Sequence, residues 1–276
     1  MSKLFDIMLE LAFNDVENIE ITREWLPMSL DSSSKGNQRK WYSREKDLFL
    51  KEQFYHQNMY WQDWKVEVLS YYIAQQCNLD SKVIKQTPAR IFDGSSMTYG
   101  VISKNFLGDD EEWISMYRIM QKFGFELSPR MMPLDRFNYL RDKVYNHLDL
   151  DLKEYLLNMM ILDLLLLNED RHLNNFGIIM KDGIYKEAPL FDFGLGLFEW
   201  TKKYAGKSLE QALMYTDAKP FDTDLYAALN HVCSNTEYKN YVRGLCSSIN
   251  IPDEKFFPNK LGYEHFCRAK TFLEEL

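Results

Sequence analysis

The chain has 276 residues, 46% of them apolar and 15% aromatic, with a formal net charge of -8. That length suffices for one large domain or two modest lobes, each able to bury a core, and the composition excludes an intrinsically disordered protein. The acidic balance argues against nucleic acid as a general partner, because a surface that tracks phosphates leaves a basic signature.

Residues 1–30 mix apolar and acidic side chains, and Ile19 to Ile21 with the following Trp25 read as a first strand. Met1 to Asn14 holds one lysine and early acids at Asp6 and Glu10, which is not the pattern of a secretion signal. The longest apolar run, Tyr155 to Leu167, is interrupted by Asn158 and Asp163 and is too short to span a bilayer. Cys77, Cys233, Cys246 and Cys267 are too dispersed for a zinc site or a disulfide framework and read as buried thiols. A cytoplasmic protein with no membrane partner is the expectation.

Asp31 to Lys40, a polar stretch with one glycine, has the composition of a turn. It is either a solvated hairpin or a loop offering backbone N–H groups to phosphates. Asp47 to Phe54 reads as a strand carrying Lys51, which is either simply exposed or turned toward nucleotide phosphates as a compact point charge. Trp61 to Gln76 reads as a helix, since Trp64, Val68, Tyr71 and Tyr72 recur at spacings of three and four. Glu67 lies in that helix; packed beside the strand it pairs with Lys51, and otherwise with a neighbour such as Lys65. Val83 to Phe92 and Met97 to Ser103 read as strands joined by the turn Asp93 to Ser96.

Lys104 to Asp110 is the connection between a strand-rich first lobe, residues 1–104, and a helical second lobe, residues 105–276. In a two-lobed nucleotide site the backbone at Lys104 meets the adenine edge. Glu112 to Phe123 and Leu134 to Leu148 show helical spacing, and the methionines among them read as core filling. Leu152 to Leu166 is apolar on nearly every face and is therefore a buried helix. Asp163 inside it needs partners, which are either donors of the following loop or an arginine. Phe176 to Met180 and Ala188 to Phe191 read as strands, Leu195 to Ala218 as pieces of loop and helix, and the segments from Leu225 onward as closing helices.

The chemistry lies between these elements. Asp170 and Asn175 stand five positions apart in the polar stretch Asn168-Glu169-Asp170-Arg171-His172-Leu173-Asn174-Asn175, and Asp192-Phe193-Gly194 follows. One carboxylate for a substrate hydroxyl, with an amide and a second carboxylate for metal-bound phosphates, is the equipment of phosphoryl transfer.

Asp-Arg-His-x-x-Asn followed by Asp-Phe-Gly resembles the catalytic and metal-binding motifs of the phosphatidylinositol 3/4-kinase-like fold, and within it those of bacterial HipA-like serine/threonine kinases. The phosphate-loop pattern of that family, Ser-x-x-Gly-x-Gln-x-Lys, is matched by Ser33, Gly36, Gln38 and Lys40. The resemblance covers roughly residues 31–200. It implies an α+β, two-lobed protein-kinase-like fold and an ATP- and Mg²⁺-dependent kinase acting on a protein serine or threonine. Asp170 would then take or orient the hydroxyl proton, His172 would steady the transferring group, and Asn175 and Asp192 would hold Mg²⁺. Lys51, with Glu67 as its partner, would contact the phosphates, and Ser33 would be the site of an inactivating autophosphorylation.

The resemblance further implies a small antitoxin-like regulator as a partner. The family's toxins, however, carry an N-terminal subdomain, and only about thirty residues precede the phosphate loop here. A lipid or small-molecule kinase on the same scaffold, and a catalytically inactive kinase-like binding module, are the alternative functions.

Overall fold

The computed structural model describes residues 2–28, 38–56, 58–199, 201–216, 219–247 and 249–276. Ser33 and Gly36, expected in a phosphate loop, lie outside the described residues. In chain order the elements are α1 (Ser2–Asn14), β1 (Glu17–Glu20), β2 (Trp25–Pro27), β3 (Lys40–Ser43), β4 (Leu48–Glu52), β5 (Tyr55–His56), β6 (Met59–Tyr60), α2 (Asp63–Gln76), β7 (Thr87–Phe92), β8 (Met97–Lys104) and β9 (Glu112–Ser115). Then follow α3 (Met116–Phe123), α4 (Pro133–Leu148), α5 (Lys153–Leu165), β10 (Gly177–Lys181), β11 (Ile184–Glu187), α6 (Thr201–Tyr204), α7 (Leu209–Leu213), α8 (Leu225–Val232), α9 (Thr236–Cys246) and α10 (Lys260–Glu275). The fold is α+β.

A six-stranded sheet, ordered β1-β7-β8-β4-β3-β2, carries the first part of the chain. All its neighbours are antiparallel except β1 and β7. Its inward face buries Trp25, Trp41, Leu50, Ala89, Ile91 and Ile102. Helix α2 packs against β7 and β8 on one side and α5 on the other. That position explains why its buried residues include Val66, Val68, Leu69 and Ile73 together with the polar Asp63, Glu67 and Ser70.

The larger core is helical and centres on α5, whose residues from Tyr155 to Leu165 are all buried. Helix α1, not anticipated from the sequence, is anchored by Phe5, Leu9 and Ala12, which recur at spacings of four and three on one helical face.

Two readings are corrected. Residues 112–115 are not helical: β9 pairs with β10, and the helix begins only after Ser115, whose hydroxyl accepts a hydrogen bond from the Arg118 N–H as an N-cap. Ala188 to Phe191 is not a strand either. The strand ends at Glu187, and beyond it Leu190 makes only an isolated bridge to Val83. Pro189 has no N–H with which to continue a ladder.

Candidate active site

The sheet register sets the first charges. Lys40 on β3 stands directly opposite Lys51 on β4, so the two lysines share one face of the sheet. Like charges placed this way repel, and three carboxylates answer them. Lys51 Nζ donates to Glu67 Oε1 at 2.5 Å and to Asp192 Oδ1 at 2.6 Å. Burial opposes the charge on Lys51, but Asp192, Glu67 and Asp63 outweigh it and raise its pKa above the ordinary lysine value. Lys40, with no ion-pair partner among the described residues, is lowered by burial.

Glu67 does more than pair with Lys51. Its second oxygen, Oε2, accepts the backbone N–H of Phe193 at 3.1 Å, so one carboxylate on α2 ties the strand lysine to the Asp-Phe-Gly turn. Asp63, one turn earlier on the same helix face, accepts from Gln38 Nε2 at 2.8 Å and from the Phe54 N–H at 2.9 Å. Burial pushes its carboxyl up to about 7 against the pull of Lys51. Gln38 also donates to the Glu52 carbonyl at 2.8 Å, which fixes the C-terminal end of the phosphate-loop pattern against β4 and α2.

Asp192 adopts φ 62°, a left-handed conformation unusual outside glycine. Bonds on both sides hold it there: Phe193 N–H to Glu67, and the Phe191 carbonyl accepting from Arg171 Nη1 at 2.6 Å. Its carboxyl is held well below the usual range, because Lys51 and Lys40 outweigh the effect of burial.

Arg171 is fully buried and unites the two loops. It grips Asp163 of α5 through Nε and Nη2, with the shortest contact at 2.9 Å, and Nη1 also donates to the Asn175 carbonyl at 2.9 Å. Its guanidinium lies 4.6 Å over the Phe193 ring. Asn168 Nδ2 adds a bond to Asp163 at 2.9 Å. Both anticipated uses of Asp163, loop donors and an arginine, are therefore realised together.

Asn175 donates its side-chain N–H to the Asp170 carbonyl at 2.9 Å, and among the described residues nothing donates to its Oδ1. Asp170 Oδ1 accepts from Lys219 Nζ at 2.9 Å, while Oδ2 lies 4.0 Å from His172 Nε2. The Asn174 N–H donates to His172 Nδ1, so the ring proton sits on Nε2, toward Asp170. Burial lowers the pKa of His172 from its usual value.

Lys51, Asp170, His172, Asn175 and Asp192 line one cavity of about 570 Å³, together with Gln38. An adjoining slot of about 180 Å³ is framed by Leu50, Ile84, Phe106 and Phe191, with Ser103 and Lys104 at its rim. Of the expected site residues, Ser33 and Gly36 are the ones not placed. A larger cavity, about 940 Å³, is walled by α7, α8 and α10 and contains none of the motif residues. Volume does not choose the site here; the convergence of charge does.

No group of three or more His, Cys, Asp or Glu side chains among the described residues is arranged to hold a metal ion. Mg²⁺ needs no such cluster, since it is commonly held by one or two protein oxygens plus substrate phosphates and water. The Asp192 carboxylate and the unengaged Oδ1 of Asn175 are hard oxygen donors of that kind.

Lys219, Asp63, Glu169 and Glu199 are neighbours of the site that the sequence reading did not single out. Asp63 alone left a signal, standing four residues before Glu67 on one helix face. Lys219 is brought in by tertiary folding from 49 residues away.

The chain is similar to the crystal structure of a Helicobacter pylori proinflammatory kinase, CtkA, with a TM-score of 0.62 at 17% identity, over 94% of this chain and 93% of that one. The fold is that of a kinase. HipA of Shewanella oneidensis MR-1, solved with HipB and operator DNA, matches more distantly, with a TM-score of 0.44 at 14% identity, over 91% of this chain and 64% of HipA. No protein-family model matches the chain, and no curated protein sequence does. No helix among the described residues is long and apolar enough to cross a membrane.

Proposed function

We propose that the protein is an ATP- and Mg²⁺-dependent kinase that phosphorylates serine or threonine of proteins, itself included, and that its lobes divide at residues 104 and 105. The observation that carries this reading is the Glu67–Lys51–Asp192 bridge set in the same cleft as Asp170 and Asn175. A cation tied to two acids from different parts of the chain, opposite a carboxylate and an amide, is what triphosphate positioning requires.

In this reading the adenine enters the slot beside Leu50 and Phe106, with the backbone at Ser103 and Lys104 at its edge. Lys51 neutralises phosphate oxygens and is held in place by Glu67. Lys40, opposite it on β3, adds a second cation. Asp192 and Asn175 would hold Mg²⁺, which supplies charge neutralisation at the β- and γ-phosphates. Asp170 accepts or orients the hydroxyl proton, and the Nε2–H of neutral His172 steadies the transferring group. The partner is a protein bearing the acceptor hydroxyl.

Incubation with γ-labelled ATP and Mg²⁺ tests the assignment. Wild type is expected to label itself, and Asp170→Ala and Asp192→Ala are expected to lose that labelling. Equal incorporation in all three proteins refutes the roles of these aspartates. Mass spectrometry of the labelled wild type is expected to place phosphate on Ser33; phosphate confined to residues 195–218 removes that part of the reading.

A further inference from the structure

Lys219 is the side chain that the catalytic motifs do not account for. Its ammonium is 2.9 Å from Asp170 Oδ1, yet it belongs to the segment beyond α7 and not to the catalytic loop. The backbone next to it is fixed: the Pro220 carbonyl accepts from Arg136 Nη1 at 2.6 Å, and the same guanidinium pairs with Asp222 at 2.8 Å. Arg136, on α4, is 3% exposed, so this anchor is part of the core.

The other end of the segment is tied to the same loop. Glu169, immediately before Asp170, accepts from Lys203 Nζ at 2.6 Å and from the Tyr204 hydroxyl. Lys203 and Lys219 thus hold the catalytic loop at two successive acids, Glu169 and Asp170.

We infer that Lys219 is a catalytic residue of the phosphoryl transfer, placing positive charge beside the transferring γ-phosphoryl group from the acceptor side while it occupies one oxygen of Asp170. The inference rests on the phosphotransferase reading above. The supporting distinction is where the cations stand. Lys51 is committed to Glu67 and Asp192, and Arg171 is sealed against Asp163, so both serve the nucleotide and metal side. Lys219 is 37% exposed, which leaves its ammonium within reach of an incoming phosphate.

The two oxygens of Asp170 then have separate tasks. Oδ1 faces Lys219, and Oδ2 remains for the substrate hydroxyl. In the transfer the hydroxyl oxygen bonds to the γ-phosphorus as the bond to the β,γ-bridging oxygen breaks. The electron pair leaves on ADP, and the hydroxyl proton passes to Asp170 Oδ2. Negative charge on the phosphoryl oxygens approaches an aspartate in this step, and a cation held between them offsets the repulsion.

The test compares Lys219→Met, Lys219→Arg and wild type as full chains, with labelled ATP and Mg²⁺ and both self-labelling and a generic serine-rich protein as acceptors. Removing the charge is expected to lower the transfer rate about 100-fold, as loss of one charge-stabilising donor does, with the ATP KM changed less than about twofold. Lys219→Arg is expected to restore at least about a tenth of the wild-type rate. Melting curves accompany each variant.

A Lys219→Met rate within about threefold of wild type overturns the inference. So does an arginine variant as slow as the methionine one with both melting points lowered, because the side chain is then a tether only. A wild type that binds ATP without transferring phosphate overturns the kinase reading and this inference with it. Normal transfer that is insensitive to Lys219 overturns this inference alone.

Discussion

The Asp163–Arg171 pair offers the most direct test of how the fold holds the site. Arg171→Met removes a guanidinium that is 0% exposed and strands a carboxylate that is 3% exposed, leaving it with Asn168 as a bonded neighbour. Breaking a buried pair at one end costs about 3–5 kcal/mol, because the remaining charge is neither solvated nor paired. The Asn175 and Phe191 carbonyls lose their donor as well, which adds about 1 kcal/mol or more each. At the low end of about 2 °C per kcal/mol for a chain of this size, the melting temperature should fall by roughly 10 °C or more.

Calorimetry on Arg171→Met, Asp163→Leu and the double variant measures this. The double variant removes both charges, so it should be less destabilised than the sum of the singles by about 2 kcal/mol or more. It should still fail in phosphoryl transfer, because Asn175 and the turn at Asp192 have lost their common brace. A melting temperature for Arg171→Met within about 2 °C of wild type, or strict additivity in the double variant, would refute the argument.

Glu199 and Gly100 give two more tests. Burial pushes the Glu199 carboxyl up to about 7 from an ordinary 4.5, although the Gln62 N–H donates to it. A raised folded-state pKa means stability that is complete below about pH 4.5 and lost as pH rises through about 7. Wild type should therefore lose about 1 kcal/mol more than Glu199→Gln between about pH 6 and pH 8 in denaturant melts, and parallel profiles would sink the idea. At Gly100 on β8, a Cβ would lie 2.3 Å from the Lys51 carbonyl on β4. The β4 backbone at Lys51 and Glu52 meets it on one side and the Ile91 Cδ1 lies 2.7 Å away, so Gly100→Ala should cost about 1–3 kcal/mol and weaken ATP binding by displacing Lys51. Unchanged melting and ATP titration would show that the strands can part at no cost.

Local pattern and motif carried much of this protein into view. The apolar spacing of α2 and of α5 is set by which faces are buried, and both helices form within a residue or two of where that spacing places them. Asp170, Asn175 and Asp192 stand out in the sequence because the chemistry proposed for them needs fixed residue types at short separations, and a buried run such as α5 makes Asp163 conspicuous by its charge alone. Where a local signal was ambiguous the reading failed: β9 and α3 form one apolar stretch, and only pairing with β10 makes its first four residues a strand.

Tertiary folding decided the rest, because no periodicity encodes which distant residues meet. It chose Lys51 over Lys65 as the partner of Glu67, set Lys40 opposite Lys51 through strand register, and placed Lys219 on Asp170. The sequence by itself determined which groups are available for the proposed phosphoryl transfer. Only the packing of α2 between the sheet and α5, with Arg171 buried beneath both loops, decided their distances and hence their charges.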